Sequence, residues 1–407
     1  MKQRRHWVTT GVIAVALLAL WACQDALQRN AEAQAVEAPV FAVDPMWPQP
    51  LPDGWRLGSV IGVWVDDQDL IWIVHRASMT LGNNERQMEL DPPTSAECCI
   101  GAPPILAFDR AGNLVHSWGG LPGEDYQGYE WPGSNHGIFV DHLGYVWLGG
   151  NGPADSQIMK FTQTGDVVAV FGQPGARLSP GGDQPAFVPN SHDPESFGRV
   201  AKLFVDAQTN QVYAADGYLN RRVAVLDGDT GEMLRYWGAY GNEPDDDYVY
   251  PERGMNQPPP QQFRSPVHCA DVSADRLVYV CDRQANRLQV FTTDGEFIAE
   301  EFYAPVTLGA GSTWDIAFSR DPDQRYIFMA DGVNERVRVV VRETLQEITN
   351  FGAGGRQPGQ FYGVHSIATD SAGNIYVTET YEGKRLQKFV YMGMGSVPAQ
   401  QGVVWPN

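Results

Sequence analysis

The chain has 407 residues, 49 acidic against 29 basic side chains for a net charge of −20, 43% hydrophobic residues, 43 glycines, 28 prolines and five cysteines. Setting aside the three basic residues at the start leaves 26 basic against 49 acidic and a mature charge near −23. That acidity serves solubility and argues against nucleic acid or anionic lipid surfaces as partners.

The first residues, "MKQRRHWVTTGVIAVALLALWAC", give a basic start (Lys2, Arg4, Arg5) and a small residue before Cys23. Between them runs an apolar stretch of about sixteen residues, the pattern of an export signal and shorter than the roughly 20 of a membrane-spanning helix. "LWAC" resembles a bacterial lipoprotein box, which would lipidate Cys23 and tether the chain to a membrane. A competing cleavage site follows Ala35 in "AEAQA". Either reading places the protein outside the cytoplasm: periplasmic, anchored at the outer membrane, or secreted. Residues 1–22 are thus expected to be a signal peptide and 23–38, rich in Ala and Gln, a flexible tether. Residues 39–407 are expected to fold as one domain, monomeric.

Internal repeats organise that domain. Six segments align on an Asp-x-x-Gly-like turn: "IGVWVDDQDLIWIVHR", "HGIFVDHLGYVWLGGN", "AKLFVDAQTNQVYAADG", "HCADVSADRLVYVCDR", "WDIAFSRDPDQRYIFMADG" and "HSIATDSAGNIYVTET". Most are followed by a further strand pair, as in "ILAFDRAGNLVHSWG" and "VAVLDGDTGEMLRYWG". The strands alternate and are rich in Val, Ile and aromatics, and no amphipathic helix interrupts them. The fold class is therefore all-β, a six-bladed β-propeller with a central channel. "QQFRSPVH", "GQFYGVH", "NRRVAV", "NRLQVF" and "NERVRV" resemble blades of the NHL type.

Outside a reducing cytosol, cysteines are candidate disulfides. Cys269 and Cys281 lie symmetrically about Asp275, so a hairpin turning there would set them opposite one another at a distance a disulfide spans. The adjacent Cys98 and Cys99 leave three readings open: a bond to each other, two free thiols, or an intermolecular link.

Counting five residues back from each turn finds one equivalent position per blade: Ile61, His136, Ala201, His268, Trp314 and His365. Histidines fall on alternate blades, so three imidazoles would converge on the channel from directions about 120° apart. Three imidazoles with coordination positions left open suit catalytic zinc. His116, His142 and His192 share no such position and are read as structural. Ten residues after the turn stand Arg76 in blade one and Arg283 in blade four, with Tyr218 two residues beyond the matching position of blade three. Arg222, Arg287, Arg336 and Arg385 repeat within "N-x-R" or "G-K-R" and are expected to pack the blades. Two cations, a tyrosine and a metal at one channel mouth point to an anionic or carbonyl-rich substrate, with the tyrosine as the proton-transfer group.

These residues resemble the peptidyl-α-hydroxyglycine α-amidating lyases. The likeness covers most of residues 58–392 and rests on "VHRAS", "NHGIFVD", "ADGYLNRR", "SPVHCADV", "VCDRQANRLQVF" and "GVHSIATD". It implies zinc on His136, His268 and His365, catalytic roles for Tyr218 and Arg76, and substrate binding by Arg283. It also implies a structural calcium held partly by the backbone carbonyls of Val63 and Ile138. The implied reaction splits the C–N bond of a peptide or small-molecule carbinolamide into an amide and an aldehyde such as glyoxylate. Two departures stand out: Ser366 replaces an aspartate that helps hold calcium, and Leu219 replaces a cysteine. The chain has no stretch resembling the copper monooxygenase that makes the hydroxylated peptide. A metal-dependent hydrolase or lactonase, and a non-catalytic NHL binding module, are the competing readings.

Overall fold

The computed structural model describes residues 35–180, 186–254 and 256–406; the expected signal peptide and Cys23 lie outside them. The turns show how a short motif builds a hairpin. Asp66 accepts the amides of Gln68 and Leu70 on one carboxylate oxygen and the Trp72 indole N–H on the other. Asp141 does the same with Leu143, Tyr145 and Trp147. One short side chain thus shapes the turn and fastens the strand that follows. Gly144 completes the second turn at a φ of +83°, a conformation that residues with a Cβ resist.

Six four-stranded antiparallel sheets result. Their inner strands are Ser59–Val65, Asn135–Val140, Lys202–Asp206, Val267–Val272, Asp315–Phe318 and Val364–Thr369. Inner and middle strands are sandwiched between neighbouring blades and are buried on both faces, as in Asn135–Val140 and Val146–Gly150. The fourth strands alternate, as in Leu114–Trp118, because one face meets solvent. Between blades one and two the core gathers Trp72, Trp118, Trp131 and Phe161.

Blade six is assembled from both ends of the described chain. Its outermost strand is Val36–Asp44, paired antiparallel with Arg385–Val397. The boundary expected for the tether is therefore too late: Val36, Glu37 and Ala38 pair with Val397, Ser396 and Gly395. The burial along that strand does not alternate, and its pairing partner lies at the far end of the sequence.

The repeating arginines pack the blades through buried carboxylates: Arg222 with Asp216 at 2.8 Å, Arg287 with Asp282 at 2.9 Å, and Arg385 with Glu379 at 2.6 Å. Blade five departs from the expectation. There Arg338, not Arg336, holds Asp331 at 2.6 Å, because two residues further on it also reaches Glu347 at 2.5 Å. Arg336 bonds instead to the Asn334 carbonyl and the Asn350 side chain. Cys269 and Cys281 face each other across blade four as a disulfide, Cα atoms 4.8 Å apart, and Cys98 is bonded to Cys99.

Candidate metal centre

The histidines are aimed by local irregularities. At the entry to the inner strands of blades one, two, four and six the pairing slips, with the extra residues at Ile61, Gly137, His268 and the His365–Ser366 pair. A bulge turns a side chain out of its regular alternation and recurs beside functional sites. Gly137 is required by its bulge: its φ is +65°, and a Cβ there would lie 2.4 Å from the Ala201 carbonyl oxygen. That carbonyl has its own task.

His136 Nδ1 donates to the Ala201 carbonyl at 2.6 Å, and His268 Nδ1 to the Trp314 carbonyl at 2.5 Å. Ala201 and Trp314 occupy the same register position in the next blades, so histidines and backbone acceptors alternate around the channel. His365 Nδ1 turns toward the Ile61 backbone, which completes the ring, but makes no hydrogen bond of normal geometry. Holding Nδ1–H on a carbonyl leaves Nε2 as the lone-pair nitrogen and fixes the ring. The three rings lie 4.9–5.2 Å apart, and one donor atom from each falls within 4.8 Å of the others.

Burial is the main reason that all three imidazoles are held well below their usual pKa. After it come His365 and Arg76 for His136, Arg283 and His365 for His268, and Arg283 and Arg76 for His365. Neutral imidazoles are the form that binds a metal. Three buried nitrogen donors, at least two with their far nitrogen capped, fit a borderline transition metal such as zinc.

Tyr218 caps this triad. Its hydroxyl lies 2.9 Å from His136 Nε2 and 3.3 Å from His268 Nε2, and accepts a bond from Arg283 Nη1 at 3.3 Å. Ser265 fixes the backbone beneath it by donating to the Tyr218 carbonyl at 2.6 Å. The Arg283 guanidinium lies 4.3 Å from the Trp314 ring, and its buried Nε has no partner. Arg76 is anchored through Nε to the Asn135 carbonyl at 2.9 Å and through Nη2 to Asn151 Oδ1 at 2.6 Å. Burial lowers it to about 10, offset in part by attraction to Tyr218 and Asp155, so it remains a cation at neutral pH.

Directly beneath the triad is a layer that the sequence reading did not anticipate. The buried Lys202 ammonium reaches Asp271 at 2.7 Å and Asp315 at 2.6 Å. Asp315 accepts the Ser366 hydroxyl at 2.6 Å, and Ser366 accepts the Val63 amide at 3.3 Å. Burial opposes the charge on Lys202, but the two carboxylates outweigh it and raise its pKa. Calcium at Val63 and Ile138 does not fit these residues as they stand. Both nearby carboxylates are already engaged by an ammonium, and Ser366 brings no charge. Nor does Cys269 offer a thiolate to Asp271 and Asp315, since it is disulfide-bonded.

The sequence register thus brings His136, His268, His365, Tyr218, Arg76 and Arg283 into one site. It missed Asn135 and Asn151, which open and close the same hairpin motif, and Lys202, Asp271 and Asp315. His75, in "VHRAS", lies outside the site: it is buried, with Nε2 2.8 Å from the Pro103 carbonyl and burial holding its pKa down to about 4. His116 stacks on Trp72 at 5.1 Å, a structural contact.

Fold and site together define an NHL-type six-bladed β-propeller with a histidine triad in its channel. No protein-family profile matches the chain. It is 26% identical over 374 residues to NHL repeat-containing protein 3 of Mus musculus, spanning 87% of this chain and 85% of that one. It is also 27% identical over 169 residues to the peptidyl-glycine alpha-amidating monooxygenase of Mus musculus, a stretch that is 40% of this chain but only 14% of that protein. Among solved structures, virginiamycin B lyase from Staphylococcus aureus aligns over 90% of this chain and 89% of its own at 12% identity and a TM-score of 0.45.

Proposed function

We propose that the chain is a zinc-dependent lyase that breaks the C–N bond of a carbinolamide of the peptidyl-α-hydroxyglycine type, releasing an amide and glyoxylate. The observation that carries this reading is the placement of the Tyr218 hydroxyl, shared by His136, His268 and Arg283. A phenol held against a metal triad and a guanidinium is placed to move a proton at a bound substrate hydroxyl. Partial similarity to a peptidyl-glycine alpha-amidating monooxygenase is in keeping with a peptidyl-glycine type of substrate.

Zinc would supply Lewis acidity toward the substrate hydroxyl. Tyr218, as the phenolate, takes the hydroxyl proton as the carbonyl forms and gives a proton to the amide nitrogen as the C–N bond breaks, leaving amide and aldehyde with the tyrosine returned to its starting form. Arg76 and Arg283 place positive charge beside the Tyr218 oxygen, which acts as the base. The free donors of Arg283, including its unpartnered Nε, take the substrate carboxylate. Trp314 keeps that guanidinium flat and oriented. Export, a lipid on Cys23 and a monomeric state belong to the same proposal and rest on the sequence.

The test is metal analysis of the purified protein, followed by an assay for glyoxylate release from an α-hydroxyglycine peptide. One zinc per chain with glyoxylate release supports the reading. A zinc-loaded protein that turns over no α-hydroxyglycine compound overturns it.

A further inference from the structure

Just below the histidine triad, one hydrogen-bonded chain links five of the six blades. Lys202 comes from blade three, Asp271 from blade four, Asp315 from blade five, Ser366 from blade six, and the Val63 amide from blade one. Every side chain in it is buried. Its donor set is made of oxygens: two carboxylates, a hydroxyl, and the Ile316 carbonyl 3.5 Å from the ammonium. Such oxygens suit a hard cation, yet the cation among them is covalently part of the chain.

We infer that Lys202 is a built-in cation that ties the blades around the channel in place of a bound divalent ion, so that this propeller does not use calcium and becomes calcium-responsive only when Lys202 is removed. The geometry supports this in two ways. Asp315 is saturated: Oδ1 takes Lys202 and the Ile316 amide, and Oδ2 takes the Ser366 hydroxyl and the Ile367 amide. Asp271 gives one oxygen to Lys202 while its other oxygen, Oδ1, is buried without a partner. Removing the ammonium would leave two uncompensated buried carboxylates, a strong demand for another cation. One oxygen of that pair, Asp271 Oδ1, already lacks a partner.

The consequence is measurable on the full chain, independently of whether it is a lyase. Wild type prepared without calcium should contain no stoichiometric calcium by elemental analysis, and its Tm should not move when millimolar calcium is added. Lys202→Met keeps the aliphatic stem and removes the charge. It should unfold at a lower temperature, bind one calcium per chain, and regain several degrees of Tm in a saturable way. If Lys202→Met does not fold without metal, recovery of folded protein only with calcium present gives the same answer. Lys202→Met/Asp271→Asn should regain stability without responding to calcium. Stoichiometric calcium in wild type that is lost in Asp315→Asn overturns the inference. So does a folded Lys202→Met that ignores calcium.

Discussion

His268 donates its Nδ1–H to the carbonyl of Trp314 in the neighbouring blade at 2.5 Å, and Trp314 in turn stacks against Arg283 at 4.3 Å. One residue therefore orients both a candidate metal ligand and the candidate carboxylate clamp. The ligand is held by backbone, which no side-chain substitution at position 314 removes; the clamp is held by the indole. Trp314→Leu should accordingly leave metal content intact while raising KM. Loss of bound metal in that variant would break the separation.

His136→Ala, His268→Ala and His365→Ala should each lose most of the bound metal and keep the propeller folded, because the blade cores do not depend on the channel. Elemental analysis alongside circular dichroism checks both halves. Full occupancy in all three would remove the triad as a metal site. His365 has the least constrained ring, since its Nδ1 lacks a bonded partner.

Tyr218→Phe should lower turnover by at least ~100-fold, the usual cost of losing a proton-transfer group, with zinc retained. Arg283→Ala should raise KM more than it lowers kcat, although its bond to Tyr218 makes some loss of kcat expected. Activity of Tyr218→Phe close to wild type would move the chemistry to metal-bound water, as in a hydrolase.

His75 provides a pH signature outside the site. Burial lowers it from 6.5 in an unfolded chain to about 4. The unfolded chain thus takes the proton first, so the contribution of His75 is fully present above pH 6.5 and is lost as pH falls toward its folded value. The whole effect is ~3 kcal/mol, with about 2 kcal/mol gone by pH 5. Urea unfolding at pH 7 and pH 5 should show a shallower pH dependence for His75→Gln than for wild type. Identical slopes would mean that His75 is solvated.

Closure of blade six can be tested at Phe41, which is 3% exposed on the N-terminal strand and packs on Phe328 and Phe351 of blade five at 5.3 and 5.5 Å. Phe41→Ala should cost about 3–5 kcal/mol of unfolding free energy. A cost under about 1 kcal/mol would show that the strand is dispensable for ring closure.

The six blades and the alternate-blade histidines were legible in the sequence because both follow from short-range repetition. An Asp or Ser side chain at the turn closes each hairpin locally, the strand period sets each side chain's face, and repeating the unit gives Ile61, His136, Ala201, His268, Trp314 and His365 one shared position. Arg76, Tyr218 and Arg283 were found by the same register, aided by resemblance to a known family. Other features depend on contacts between blades, to which no period in the chain corresponds. The capping of His136 by Ala201 and of His268 by Trp314 uses backbone carbonyls, which carry no residue signature. Lys202 meets Asp271 and Asp315 from 69 and 113 residues away, where curvature of the ring, rather than any local motif, sets who meets whom. The strand Val36–Asp44 becomes a strand by finding the edge of Arg385–Val397. Local hydrogen bonding and strand period thus determined the blades and the histidine positions, while closure of the ring decided the partners of the polar groups that meet across the channel.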